Sequence, residues 1–207
     1  MTKVRVVIVD DEELARRVLR EYLAAYDDIE SVAECANGFE AVKAVADLNP
    51  DLLLLDIQMP RLDGFEVLEL VGREVGVIFV TAYDKYALRA FEVHAVDYLL
   101  KPFSPERLCE ALGRARQRIA SKEPAPVRDL AAVARPAGSR VERVLIRDGA
   151  NVHVIPVSKL VWVEAQDDYV CFRSEGRQYL KQQTIGEVEA VLDPAQFVRI
   201  HRSYILN

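Results

Sequence analysis

The 207-residue sequence predicts an α/β doubly wound, five-stranded parallel sheet followed by a mainly β second part, and three observations carry that expectation. From Val4 onward, short apolar runs alternate five times with segments of helical period, the pattern of a parallel sheet covered by helices. Residues 121–139 then hold Pro124, Pro126, Pro136 and several alanines without a durable apolar period, the texture of a linker. Beyond it the period shortens toward two, as half-buried strands require.

Each element has its own signal. The runs Val4–Val9, Ile29–Cys35, Leu52–Leu55, Val77–Val80 and Asp97–Leu100 read as strands, the central ones continuously apolar because both sheet faces are covered. Leu14, Val18, Leu19, Tyr22 and Leu23 recur at helical spacing, as do Ala41, Val42, Val45 and Leu48. Phe65, Leu68, Leu70 and Val71 continue the series, followed by Leu108, Ala111, Leu112 and Ala115. In the second part Asp148-Gly149 and Glu175-Gly176 mark tight turns between strands. Leu160–Glu164, Tyr169–Arg173 and Gln178–Leu180 are further strands. A short helix covers Ile185 to Leu192, and Phe197–Ile200 is the last full strand. The domains expected are 1–120, a linker 121–139, and 140–207.

Composition narrows the classes. Half the chain is apolar with no low-complexity tract, which excludes fibrous and disordered classes. No apolar run approaches a membrane span and no signal-like region opens the chain, so a cytoplasmic protein without membrane contact is expected. Cys35, Cys109 and Cys171 are too scattered for a disulfide framework or a zinc site, and are expected as small buried hydrophobes. The net charge of −6 is uneven: residues 1–120 carry 15 Lys and Arg against 22 Asp and Glu, whereas residues 138–207 carry nine of each. Acidity belongs to the first part, and the neutral second part leaves room for a local basic face.

The carboxyl ends of the parallel strands collect the unusual residues: Asp10 and Asp11 after the first strand, Asp56 after the third, Thr81 ending the fourth, Lys101 after the fifth. That edge is the usual ligand crevice of a doubly wound sheet. Singly, such an Asp is often a helix cap and such a Lys a solvated charge; together they point to a site. Three carboxylates in one place repel and call for a cation, and oxygen ligands without a His or Cys cluster suit Mg²⁺. The central carboxylate, Asp56, is then placed to take a phosphoryl group as an aspartyl phosphate. Lys101, the Thr81 hydroxyl and the Ala82 amide are placed to meet the phosphoryl oxygens.

The motifs V-I-V-D-D-E at 7–12, L-L-L-D-I-Q-M-P-x-L-D-G at 53–64, F-V-T-A at 79–82 and Y-L-L-K-P-F at 98–103 resemble the receiver domain of two-component response regulators, a flavodoxin-like (CheY-like) fold. The resemblance implies Asp10, Asp11 and Asp56 as Mg²⁺ ligands, with the backbone carbonyl of Gln58 completing the metal shell. It implies Asp56 as phosphoacceptor, Thr81 and Tyr98 as a switch pair, and Lys101 as the phosphate-binding lysine. It also implies a sensor histidine kinase as phosphoryl donor, and a homodimer formed through residues Arg89, Glu92, Asp97, Arg107, Glu110, Arg114 and Arg118 on phosphorylation. Dehalogenase-like phosphatases also phosphorylate an Asp at a strand end, but they place a second Asp two residues on, where this chain has Gln58. Beyond its own phosphotransfer and autodephosphorylation, no enzyme activity is expected.

The segments L-V-W-V-E-A-Q-D-D-Y-V at 160–170 and F-V-R-I-H-R-S-Y-I-L-N at 197–207 resemble the LytTR DNA-binding domain of AlgR-, AgrA- and LytR-type regulators. That resemblance implies DNA contacts through His201 and Arg202, and through the Gln166–Tyr169 loop with Asp168 and Tyr169; Lys181 and Arg199 are candidates to hold phosphates. Residues 141–207 are shorter than such domains usually are, so an incomplete domain with an open sheet edge near Phe197–Leu206 is expected. The function expected is transcription control through promoter direct repeats, the alternative being a phosphorylation-gated module that docks a protein instead of DNA.

Overall fold

The computed structural model describes residues 3–72, 75–87, 90, 93, 95–121 and 140–207. The chain divides into two compact units, Met1–Ala134 and Arg135–Asn207. In the first, strands β1 (Val4–Val9), β2 (Ile29–Cys35), β3 (Leu52–Leu55), β4 (Gly76–Thr81) and β5 (Asp97–Leu100) form one sheet in the order β2-β1-β3-β4-β5. Every pairing is parallel. The chain leaves β1 to one side for β2 and returns to the other side for β3, so a crevice opens between β1 and β3 at their carboxyl ends.

The apolar runs are continuous because both faces are covered. Val6, Ile8, Leu52, Leu54, Ile78, Val80 and Leu99 pack with Leu19 and Leu23 of helix Glu13–Leu23 and with Leu108, Ala111, Leu112 and Ala115 of helix Pro105–Ser121. On the opposite face Phe79 meets Phe65 of helix Gly64–Val71, ring centroids 5.0 Å apart, while helix Gly38–Leu48 lies against β1 and β2. Two helix starts are fixed by their own side chains. Asn37 accepts from the Glu40 amide, and Asp63 with Glu66 closes a reciprocal capping box. Between β4 and β5 the described residues include a 3₁₀ turn at Asp84–Tyr86.

The second unit has two sheets. β6 (Arg143–Asp148) and β7 (Asn151–Pro156) form an antiparallel hairpin, while β8 (Leu160–Gln166), β9 (Tyr169–Ser174), β10 (Arg177–Gln182), β11 (Val198–His201) and β12 (Tyr204–Leu206) form an antiparallel sheet in the order β10-β9-β8-β12-β11. Val163, Phe172 and Ile205 stand side by side on its inner face and are fully buried against Ile185, Val188 and Leu192 around helix Ile185–Val191.

Three details differ from expectation. The first turn is Gly149-Ala150, one residue later than Asp148-Gly149, with the glycine taking φ 59° at the first turn position. β12 is an additional strand, and it occupies an interior position of the sheet while β11 takes the edge. Cys35 and Cys171 are buried, but Cys109 is exposed on helix Pro105–Ser121, whose buried positions are taken by Leu108, Ala111, Leu112 and Ala115. Of the expected linker, Ser121 ends that helix and 122–139 lies outside the described residues, as do Arg89 and Glu92 of the expected dimer surface.

Candidate functional site

Sheet register assembles the first site. Val9 lies beside Leu55, and Leu55 beside Phe79, so the residues that follow β1 and β3 emerge as neighbours. The Asp56 amide donates to the Val9 carbonyl at 2.9 Å, and the Lys101 amide to the Thr81 carbonyl at 2.8 Å. Asp10, Asp11 and Asp56 converge until one carboxylate oxygen from each lies within 4.8 Å of the others, with Asp10 fully buried, Asp56 nearly so and Asp11 exposed. Lys101 Nζ reaches Asp10 Oδ2 at 2.6 Å and Asp56 Oδ2 at 3.5 Å.

The electrostatics follow from burial. Burial pushes the Asp10 carboxyl above its ordinary range, and Lys101 and the Glu12 amide only partly offset it. Burial also disfavours the Lys101 ammonium, but its hydrogen bond to Asp10 and the charges of Asp56 and Asp10 prevail and hold its pKa above the usual value. One lysine against three carboxylates leaves a negative pocket. Two like charges about 4 Å apart repel by about 4 kcal/mol at an effective dielectric near 20. The oxygen-only donor set of three carboxylates within 4.8 Å fits a hard divalent ion such as Mg²⁺.

The end of β4 beside the pocket has its own marker. Among the described residues, the fully buried Thr81 Oγ1 is the buried side-chain polar atom that lacks a hydrogen-bond partner. Such a group costs free energy unless something else uses it. Tyr98, the other expected switch residue, is half-buried and donates its hydroxyl to the Tyr83 carbonyl; burial and the charges of Asp84 and Asp56 push its pKa up to about 12.

Tyr86, Lys85 and Gly64, not singled out from sequence as site residues, complete the surroundings. Gln58 donates to the Tyr86 hydroxyl at 3.1 Å, and Lys85 Nζ lies 4.9 Å from the Tyr86 ring centroid. The A-Y-D-K-Y stretch at 82–86 carried the signal, two tyrosines three residues apart beside the Thr81 strand end. Gly64 is a backbone requirement: a Cβ there would stand 2.4 Å from the Asp56 carbonyl oxygen, so only glycine lets this helix start approach the end of β3.

In the second unit two turns share one end of the sheet. Asp167-Asp168 joins β8 to β9, Arg202-Ser203 joins β11 to β12, and the Ala165 amide donates to the Ser203 carbonyl at 2.9 Å, which places the turns side by side. The structure thus brings His201, Arg202, Asp168 and Tyr169 to one exposed edge, with Asp167 beside them. Arg202 has no side-chain partner among the described residues, whereas Arg199, expected as a phosphate contact, is engaged internally with Glu189 and two turn carbonyls.

Comparison with known proteins agrees with this geometry. Residues 6–113 match the response regulator receiver domain, and residues 150–207 match the LytTr DNA-binding domain. The chain is 36% identical to the transcriptional regulatory protein BtsR of Salmonella typhi over 99% of its own length and 82% of that protein's. It is 31% identical to the sensory transduction protein LytT of Bacillus subtilis over 98% of its length and 82% of the relative's. The response regulatory domain of mrkE from Klebsiella pneumoniae superimposes with a TM-score of 0.53 at 29% identity, over 56% of this chain and 98% of that one. The LytTR match favours a DNA-binding output over the protein-docking alternative. The chain belongs to the response regulators that join a receiver domain to a LytTR DNA-binding domain.

Proposed function

We propose that Asp56 is the phosphoacceptor of a cytoplasmic two-component response regulator that controls transcription, with a receiver at 1–120, a linker at 121–139 and a DNA-binding unit at 140–207. The observation that carries this reading is the convergence of Asp10, Asp11 and Asp56 with Lys101 and the orphaned Thr81 hydroxyl at one strand edge. Asp10, Asp11, Asp56 and the Gln58 carbonyl would hold Mg²⁺, which when bound offsets the charge of the pocket and of an incoming phosphoryl group.

An Asp56 carboxylate oxygen attacks the phosphorus of a phosphohistidine on a sensor kinase. The P–O bond forms as the P–N bond breaks, and the imidazole nitrogen leaves with the electron pair. Lys101 then turns from the carboxylates to a phosphoryl oxygen, and Thr81 donates its free hydroxyl to another. As Thr81 moves inward, Tyr98 releases the Tyr83 carbonyl and follows, which alters the surface around β5. Water attack on the same phosphorus breaks the bond to the Asp56 oxygen, releases inorganic phosphate and returns Asp56 to its carboxylate. The altered surface pairs two receivers, and the paired chains hold two output units on promoter direct repeats.

Intact-mass measurement with acetyl phosphate and Mg²⁺ tests the reading. A single phosphoryl adduct is expected on the wild-type chain and none on Asp56→Asn; an adduct of undiminished yield on that variant overturns the assignment.

A further inference from the structure

The turn that carries Arg202 differs in backbone form from the other hairpins of its unit. His201 pairs with Tyr204, so Arg202-Ser203 is a two-residue hairpin loop. Such loops prefer types I′ and II′, which need positive φ at one or both central residues, because only those match the strand twist. The other three hairpins of this unit comply: φ is 59° at Gly149, 51° at Asp167, and 48° and 80° at Glu175 and Gly176. Neither Arg202 nor Ser203 has positive φ, and the register of the pair slips between Arg199 and His201.

Side chains supply what the backbone lacks. The Arg199 guanidinium donates from Nη2 to the Arg202 carbonyl at 2.8 Å and from Nε to the His201 carbonyl at 3.3 Å, while Nη1 meets Glu189 Oε2 at 2.7 Å. One rigid planar fork thus ties the His201 and Arg202 carbonyls to helix Ile185–Val191, a geometry that a lysine's single ammonium cannot span. From the other side the Ser203 amide donates to His201 Nδ1 at 3.2 Å. The Arg202 side chain, by contrast, is exposed and without a partner among the described residues.

We propose that Arg199 is a positioning residue of the DNA interface, one that binds no phosphate and instead holds the 201–203 turn so that Arg202 is presented in a fixed place. The inference rests on the reading that this turn meets DNA. A preordered turn spares the ordering cost that a mobile one meets on binding, so the effect falls on discrimination between sequences more than on general attraction to DNA.

Two measurements on the 207-residue chain separate the inference from the reading beneath it. In amide hydrogen exchange, Arg199→Gln should speed exchange at Ser203 by about tenfold while Val163 and Phe172 stay unchanged. Glu189→Gln should act in the same direction more weakly, Arg199→Lys should recover only part of the protection, and Arg202→Gln should change nothing. Unaltered Ser203 exchange in Arg199→Gln overturns the brace; if that variant fails to fold, Glu189→Gln decides the same point. Fluorescence anisotropy then compares the duplex that the wild-type chain selects from a random-sequence pool with the unselected pool, across a salt series. Arg199→Gln should lose preference for the selected duplex with its salt slope intact. Equal weakening on both duplexes, with the slope reduced by about one, marks a phosphate contact and overturns the proposal. A wild-type chain that selects no duplex overturns the DNA role, while the exchange data still report whether Arg199 holds the turn.

Discussion

Thr81 and Asp10 are the two receiver residues whose buried polar groups are least well satisfied as they stand. The Thr81 hydroxyl is fully buried and unpaired, so an isosteric methyl should remove a penalty. Thr81→Val is expected to leave the unphosphorylated receiver equally stable or about 1 kcal/mol more stable in urea unfolding, while uncoupling phosphorylation from Tyr98. A loss of more than about 1 kcal/mol would mean that the hydroxyl has a partner at rest. Asp10 behaves similarly. Its raised pKa makes ionisation costlier in the folded than in the unfolded chain, so stability falls as pH rises from the ordinary carboxylate range through the folded value. A bound divalent ion should reverse this, because a ligand that binds only the folded state stabilises it by mass action. Millimolar Mg²⁺ is expected to raise the melting temperature of the wild-type chain and not of Asp11→Ala; equal shifts in both would remove Asp11 from the metal site.

At the scale of elements, Asp97 joins β5 to helix Pro105–Ser121. Its buried carboxylate takes both arms of Arg107, at 2.7 and 2.9 Å, and Arg114 Nη1 at 2.8 Å. Burial alone would raise its pKa, but the Arg107 hydrogen bonds, the Tyr98 amide and the two guanidinium charges outweigh that and lower it. A depressed folded pKa contributes stability that is present above the unfolded value and lost as pH falls through the folded one. Asp97→Asn should therefore cost about 2 kcal/mol near neutral pH, with the difference from wild type vanishing in acid; a difference that persists at the lowest pH would show that packing, not charge, joins the two elements. These contacts also bear on legibility. Asp97, Arg107, Glu110 and Arg114 read in sequence as charges available to a partner, whereas Asp97 pairs with two arginines of its own chain and Arg107 also reaches Glu110. Strand ends were legible because Asp10, Asp56, Thr81 and Lys101 interrupt strong apolar runs. β12 was not: three residues are too short for alternation to register, and Arg202-Ser203 lacks the Gly or Asn that announces a hairpin. The brace on that turn was hidden for the same reason, since Arg199 and Glu189 are ten residues apart in unrelated local patterns. Among the described residues β11 is an outer strand of its sheet, and its Val198 and Ile200 are 59% and 58% exposed.

For the whole molecule, the first part carries the acidity and the second is neutral, so net charge supplies no attraction to DNA; on the proposed reading, local geometry and paired output units would supply it. Two receivers related by a two-fold axis would, if that axis extended to the outputs, place them on inverted half-sites. The proposed direct repeats would instead require outputs related by translation along the duplex. The arrangement has a measurable signature. Paired outputs reach two half-sites on one face only when their centres lie a whole number of helical turns apart, about 10–10.5 base pairs each. With the fluoroberyllate-activated chain, sedimentation should show a concentration-dependent shift toward dimer, and binding to a direct-repeat duplex should tighten in parallel. Inserting about half a turn, roughly five base pairs, should abolish that tightening, and inserting a full turn should restore most of it. Binding that tightens equally on inverted repeats would show that one symmetry governs both halves of the chain, and indifference to the half-turn insertion would show that the two outputs bind without reference to each other.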